Sequence, residues 1–363
     1  FGGLFLPRLL ISLQAIGQNA AAVCTLCRKH GISVAGVVKG SNGNVPVSRT
    51  LLDNGCAQLA SSRLIQLETL RQQLPHAQTL LIRMPVPEEA ARVVAACDVS
   101  LNTEERTLRA LSDAAVAANT THGVILMYEL GDLREGVSSL EKLINLAKIA
   151  EALPGLHLVG IGGTLNDIYG VSPSEDNMGA LVKAFHAAEQ AVGRKLDILS
   201  GGSTTALPML LQDKLPAEIN HLRIGEAILT GRDLPDLWGA QVEGCTSNTM
   251  ELEATVLESN AKPTRPWGVR SQNGFGEQPP LPPDRGVRHR VILDMGRVDV
   301  GEPGQLICPE GVTVIGASSD HLVLDVEDHP AALQPGDKLR FRLFYQGMLF
   351  AFQSEDVENV FVD

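Results

Sequence analysis

From residue 30 to about residue 230 the chain repeats one unit: a short apolar run, a polar loop, then a helical period. The runs are "SVAGVVK" (33–39), "CAQLA" (56–60), "TLLIRM" (79–84), "CDVSLN" (97–102), "HGVILMYEL" (122–130), "LHLVGIG" (156–162), "LDILSGG" (196–202) and "INHLRIG" (219–225). Between most of them lie helical patterns. "TEERTLRALSDAAVAAN" and "SSLEKLINLAKIAEAL" carry apolar residues at i, i+3 and i+4. "SPSEDNMGALVKAFHAAEQAVG" opens on Ser and Asp and closes on Gly, as a capped helix does. Eight strands with intervening helices predict a (β/α)8 TIM-type barrel. The doubly wound sheet is the rival. No G-x-G-x-x-G opens a helix after the first strand, which disfavours a dinucleotide fold.

After about residue 236 the pattern changes. Helical periods give way to the strand-like runs "MELEATVLES", "HRVILDMG", "VTVIGASSDHLVLDV", "DKLRFRLFY" and "GMLFAFQS". The proline-rich "GEQPPLPPDRG" joins two of them as a loop. The expected organisation is a barrel over residues 1–236 and a mostly-β domain over 237–363.

The 363 residues are 44% hydrophobic, enough for a sizeable core and against disorder. A formal net charge of −12 argues against non-specific binding to nucleic acid or acidic membranes. No apolar run reaches the ~20 residues a membrane helix needs. The start, "FGGLFLPRLLISL", lacks a basic n-region and a small-residue cleavage signature, so it reads as a strand leading into a helix. Cys24 and Cys27 form a C-x-x-C on a helical stretch, with no second pair to complete a zinc site. They are either a redox pair or the ordinary buried thiols of a cytoplasmic protein.

Chemistry in a barrel sits at the C-terminal ends of its strands. The first offers Lys39. That lysine is either a solvated stem over apolar surface or an amine made nucleophilic by desolvation and nearby charge. The fifth runs into "ELGDLREG", where Arg134 either acts on a ligand or pairs with Asp132 or Glu135. The seventh gives "SGGSTTA", a glycine turn with a helix cap or a phosphate cradle. The eighth gives "LRIGEA", with Arg223 before a glycine. His221 reads as a hydrogen-bonded packing residue. No His, Cys, Asp or Glu group has metal-ligand spacing. A nucleophilic lysine, a phosphate cradle and two arginines at one barrel mouth suit pyridoxal 5'-phosphate.

These segments resemble the fold-type III pyridoxal-phosphate enzymes, the alanine racemase superfamily, and more narrowly its alanine/ornithine racemase branch. The resemblance runs from "PRLLISL" and the Asn19 region through "VVKG", "SSRL", "SLNTE", "ILMYELGDLREG", "GIGGTL", "LSGGSTTALP" and "INHLRIGEAILTG". It continues in "DMGRVDV", "IGASSDHLVLDV" and "GDKLRFRLFY". It implies an amino-acid racemase acting on ornithine, lysine, alanine or serine, as a homodimer with shared active sites. Lys39 matches the lysine that carries the cofactor as a Schiff base. Arg223 matches the arginine that faces the pyridine nitrogen, and an arginine, with a pKa above ~12, cannot protonate that nitrogen. Ser203, Thr204 and the backbone amides of Gly225 and Glu226 match phosphate-binding positions. Arg134 matches a holder of the substrate carboxylate. Ser319 and Asp320 match a turn contributed by the β domain of the partner subunit.

The chain also departs from the family pattern. "KGSNG" lacks the tyrosine that follows the lysine in alanine racemases. Their second base is a tyrosine of the β domain, and the matching region near "SQNGFGEQ" holds Phe275. His321 and Tyr345 are the candidates for that base. Two other functions compete: a lyase of the same fold, which needs a late His/Cys metal pair that is not seen, and a non-catalytic cofactor carrier, which lacks a β domain.

Overall fold

The computed structural model describes residues 7–363, so the opening FGGLFL of the expected first strand lies outside the described residues. From Pro7 onward a strand does lead into a helix: β1 (Arg8–Ile11), then α1 (Leu13–Lys29). The chain forms two compact units. One is Leu13–Ser247; the other joins residues 7–12 to residues 248–363.

The first unit is the barrel. β2 (Ser33–Val37), β3 (Gln58–Ser61), β4 (Thr79–Leu81), β5 (Val99–Asn102), β6 (His122–Met127), β7 (Leu156–Gly162), β8 (Ile198–Ser200) and β9 (His221–Ile224) close in chain order, with β9 pairing back onto β2. All eight expected strands are present. The connections carry α2 (Val45–Asp53), α3 (Leu64–Gln73), α4 (Ala90–Ala96), α5 (Glu105–Ala117), α6 (Leu140–Ala152), α7 (Glu175–Val192), α8 (Leu207–Leu211), α9 (Glu226–Leu229) and α10 (Asp233–Trp238). α5 buries Leu108, Leu111 and Ala115 along one stripe, each leucine contributing about 1.5–3 kcal/mol. α7 starts in a capping box between Ser174 and Asn177 and ends at Gly193 with φ +76°, the left-handed stop that glycine makes without a Cβ penalty.

The barrel interior is divided. Ala35, Val37, Ala60, Leu80, Val99, Leu101, Ile125 and Met127 form one apolar cluster from β2 to β6. Gln58 and Arg223 both register with Ala35, and Ser200 registers with His221, so the same inward face turns polar across β8 and β9.

The second unit is mostly β. β10 (Met250–Pro263), β11 (Val287–Leu293), β12 (Leu306–Ile307), β13 (Thr313–Ala317), β14 (Leu322–Asp325), β15 (Lys338–Leu343) and β16 (Glu358–Phe361) join a sheet ordered β12-β15-β10-β11-β14-β13. β10 shifts register between Val256 and Glu258. Its first half pairs with β1 and β15, its second with β11. β1 is antiparallel to β10 and parallel to β16.

Two expectations need correction. The division at 236/237 differs from the observed units. Arg8 on β1 reaches the Glu253 carboxylate on β10, so β1 belongs to the β unit. Residues 237–247 stay with the barrel unit, where the Asn19 side chain holds Thr246 through Oδ1 (2.7 Å) and Nδ2 (2.9 Å) and Ile228 O at 3.1 Å. Helices also persist after residue 236. Two further ones are α11 (Arg297–Val300) and α12 (Tyr345–Gln353). "GMLFAFQS" is therefore helix, not strand. Its buried residues, Gly347, Met348, Ala351 and Phe352, recur every four positions, the spacing of a helix face.

Candidate active site

Lys39 follows β2 in a tight turn in which Val38 O accepts from Ser41 N (3.2 Å) and Gly43 N (3.0 Å). It is half-buried. Burial, then the charge of Arg134, push its pKa below the ordinary lysine value; Asp167 and Glu135 oppose this, and Arg223 adds to it. Those four side chains are therefore its electrostatic neighbours. A lowered pKa raises the share of neutral amine, the nucleophilic form.

Arg223 is not the solvated strand end that its sequence allowed. It is 5% exposed. Its Nη1 donates to Ser200 Oγ and its Nη2 to Gly163 O at 2.9 Å. Burial lowers its pKa to about 10, so it remains a cation at neutral pH, held by neutral acceptors.

Arg134 lies in the loop after β6. Its Nε and Nη2 grip Glu135 side-on, and its Nη1 lies 2.6 Å from Asp167 Oδ1. Burial would lower its pKa, but the Glu135 hydrogen bond and the Asp167 charge raise it above the ordinary value. Asp132, the other partner its sequence allowed, does something else. It accepts the N–H groups of Asp167, Ile168, Tyr169 and Val171 at 2.7, 2.8, 3.0 and 3.1 Å and so fixes the loop after β7.

Two backbone turns meet beside Arg223, whose backbone N–H donates to Gly202 O at 2.9 Å. Gly202 sits at φ +111°, a conformation that favours glycine. Ser203 stands at the start of the short 3-10 turn Thr204–Ala206, and its side chain makes no capping hydrogen bond there. Thr204 Oγ1 instead accepts from Ala227 N at 3.3 Å, tying this turn to α9. The amides of Gly225 and Glu226 come before the first α9 hydrogen bond, Ile228 N to Gly225 O, so they have no intrahelical acceptor. A Cβ at Gly225 would come within 3.1 Å of Val37 Cβ and O. The Glu226 carboxylate caps the following turn through Thr230 Oγ1, Arg232 N and Asp233 N.

His321, Tyr345, Ser319 and Asp320 all lie in the β unit. Ser319, Asp320 and His321 form the hairpin turn between β13 and β14. Its carbonyls Ser318 O and Ser319 O accept from Arg297 N and Val298 N at 2.9 and 3.1 Å. Arg297 also lies over the Phe275 ring at 4.2 Å and pairs with Glu277. The turn and the Phe275 region thus share one anchor, which no sequence signal marked. Tyr345 is the first residue of α12 and is half-buried. Cys24 and Cys27 are buried on α1, and Cys24 Sγ lies 3.8 Å from Cys56 Sγ. Among the described residues no group of three His, Cys, Asp or Glu could hold a metal ion. Nor is any helix among them long and apolar enough to cross a membrane.

Residues 11–233, which include the whole barrel, match the family model "Alanine racemase, N-terminal domain". The chain belongs to the alanine racemase family. It is 33% identical to an ornithine racemase of Acetoanaerobium sticklandii over 353 residues, 97% of this chain and 99% of that one. It is 34% identical to a lysine racemase of Thermotoga maritima over 355 residues, 98% of each. Its fold resembles that of alanine racemase from Streptomyces lavendulae, with a TM-score of 0.76 at 18% identity, covering 99% and 98% of the two chains. Within this family frame, the barrel-mouth residues are the candidate site.

Proposed function

We propose that this chain is an amino-acid racemase that uses pyridoxal 5'-phosphate on Lys39 and inverts Cα of the dibasic amino acids ornithine and lysine. The observation that carries the reading is the pairing of a half-buried Lys39, its pKa lowered, with a buried Arg223 that, among the described residues, only neutral groups hold. The names of the two full-length relatives support the choice of substrate.

The residues present fit the cofactor. Gly202, Ser203, Thr204, Gly225 and Glu226 lie on two turns that the Ala227 N to Thr204 Oγ1 hydrogen bond ties together, and the amides of Gly225 and Glu226 have no intrahelical acceptor, which suits a phosphate. Arg223 offers N–H donors to a ring nitrogen and cannot give up its proton to it. When bound, the cofactor supplies the sink for the electron pair left at Cα. Lys39 removes or returns the Cα proton on its own face. Arg134 contacts the substrate carboxylate, which requires its grip on Glu135 or Asp167 to loosen. Ser319, Asp320 and one of His321 or Tyr345 act from the β domain of the partner subunit in a homodimer, with His321 or Tyr345 serving the opposite face of Cα.

Purified protein should carry a visible cofactor band. Incubated with L-ornithine, L-lysine and L-alanine, it should yield D-ornithine and D-lysine faster than D-alanine by chiral chromatography. Cofactor-loaded protein that inverts none of them would sink the reading. Mixed dimers of Lys39→Ala and Asp320→Ala chains should regain part of the lost activity. No recovery in verified mixed dimers would overturn the shared site.

A further inference from the structure

Inside the barrel, the acceptor of Arg223 begins a chain of contacts that the reading above does not use. Ser200 Oγ accepts from Arg223 Nη1 and also faces His221 Nδ1 at 2.8 Å. His221 Nε2 faces Gln58 Oε1 at 3.2 Å. The residues come from β8, β9 and β3 and share the inward face of those strands.

The direction of every hydrogen bond in the chain is determined by its ends. Arginine can only donate, so Ser200 Oγ is an acceptor at Nη1. Among the described residues, the other partner of that hydroxyl is His221 Nδ1. Its proton therefore goes to Nδ1, which must be bare. His221 is then neutral, protonated on Nε2, and donates to Gln58 Oε1. A proton on Nδ1 would leave Ser200 facing two donors with its own proton unplaced, a costly arrangement in a dry interior. The surroundings agree: His221 is 3% exposed, and burial, then the charge of Arg223, lower its pKa to about 3.

We propose that Gln58, His221 and Ser200 are positioning residues for Arg223: a one-way hydrogen-bond chain across the barrel interior holds the guanidinium in one orientation. With Gly163 O taking an N–H from Nη2, both terminal nitrogens of the guanidinium are held, and the remaining donors face a set direction. Orientation matters here because a neutral-acceptor cage supplies no charge to pull the cation into place. A guanidinium free to rotate would meet a ring nitrogen only part of the time. The functional part of this inference rests on the proposed pyridoxal-phosphate reading; the proton order does not.

The test has two arms. The first uses the unmodified protein without cofactor. Histidine-selective 15N labelling and long-range 1H–15N spectra should show that His221, with His122 one of two buried histidines among the described residues, is neutral and protonated on Nε2, with no change between about pH 5 and 9. The resonance is assigned by its shift in Ser200→Ala. A His221 ring protonated on Nδ1, or as an imidazolium, overturns the proposed chain whether or not the protein is a racemase; His122, whose Nδ1 faces Cys97 O at 3.1 Å, is the ring expected to carry its proton on Nδ1. The second arm uses cofactor-loaded variants. Ser200→Ala and His221→Leu should each lower kcat about tenfold, the effect of one lost orienting hydrogen bond, with KM and cofactor content little changed. His221→Asn, whose Oδ1 takes the place of Nδ1 as acceptor, should recover most of the loss. Folded, loaded Ser200→Ala with kcat within about twofold of the parent overturns the positioning role. Failure of the parent to bind cofactor overturns the reading of function instead, and leaves the first arm standing.

Discussion

Two buried ions sit in the two units, and they are treated in opposite ways. Glu253 in the β unit meets three cations: Arg8 from β1 at 2.5 Å, Lys338 at 3.0 Å and Arg340 at 2.9 Å from β15. Burial would raise its pKa, but the hydrogen bonds from Arg8, Lys338 and Arg340 outweigh it and bring it to about 2. Arg223 in the barrel meets a hydroxyl and a carbonyl, and burial brings its pKa down to about 10. The first ion is saturated with opposite charge and fastens three strands. The second keeps its charge uncompensated by direct contact, beside a lysine whose pKa it helps to lower. Saturation marks a group that serves the fold. An expensive buried cation left with neutral partners marks one that serves a ligand.

The largest expected effect is on the under-neutralised side. Lys39→Ala should cut racemisation by on the order of 10³ or more, as loss of an acid–base group and covalent anchor does, while leaving the urea midpoint near that of the parent. In the parent, borohydride should fix the cofactor to the peptide containing Lys39. A reduced adduct on another lysine would show that the site has been misplaced.

The saturated side should break differently. Glu253→Gln should destabilise the protein by about 2 kcal/mol in urea unfolding, less than a fully buried pair because the partner side chains of Arg8, Lys338 and Arg340 are 36%, 44% and 56% exposed. Arg223→Gln, which keeps a donor for Ser200 and removes a buried charge, should change stability by no more than about 1 kcal/mol. If the arginine variant is the more destabilised of the two, the contrast drawn from their partners is wrong.

Acid sharpens the same contrast. The folded-state pKa of Glu253 is depressed from 4.5 to about 2. Its contribution is therefore fully present above about pH 4.5 and is lost as pH falls toward 2. After discounting for the exposed partners, that loss is about 1–2 kcal/mol. The parent and Glu253→Gln should converge in stability across that window. Parallel curves down to pH 2 would show that the carboxylate is not what the three cations hold.

Parts of this contrast were legible in the sequence and parts were not, for a physical reason. The eight barrel strands stood out because a parallel strand buried on both faces reads as an unbroken apolar run ending in polar or glycine residues. Lys39 and Arg223 stood out because they close such runs. "GMLFAFQS" failed because nearly all its residues are apolar, so Leu349 and Phe350 hide the four-residue spacing of Met348 and Phe352 and both periods fit. β16, "ENVF", is short and largely exposed, leaving no run to detect. The role of β1 depended on Glu253, 245 positions away, and local pattern carries no such partner. Asp167 was missed as the second partner of Arg134 for the same reason, whereas Glu135, its neighbour in sequence, was among those expected. Ser200, His221 and Gln58 are polar residues inside apolar strands. Their matched inward positions were a signal, but one that needs the register to be known first.

The smallest effect tests whether ion pairs as such explain the contrast. Arg109 and Glu105 make a pair on α5 with a 2.6 Å contact, close to the 2.5 Å between Arg8 and Glu253. Their side chains are 57% and 44% exposed. Water solvates both charges before and after folding, and holding two long side chains together costs entropy, so the pair adds little. Glu105→Gln should lower stability by about 0.3–0.5 kcal/mol, the usual worth of an i,i+4 pair. The loss should shrink further in 1 M salt, where the Debye length falls to about 3 Å. Glu253→Gln should keep most of its larger effect in the same salt, because its carboxylate is 4% exposed and the screening ions cannot reach it. Equal salt sensitivity in the two variants would mean that burial of the carboxylate, rather than contact distance, had been given too much weight.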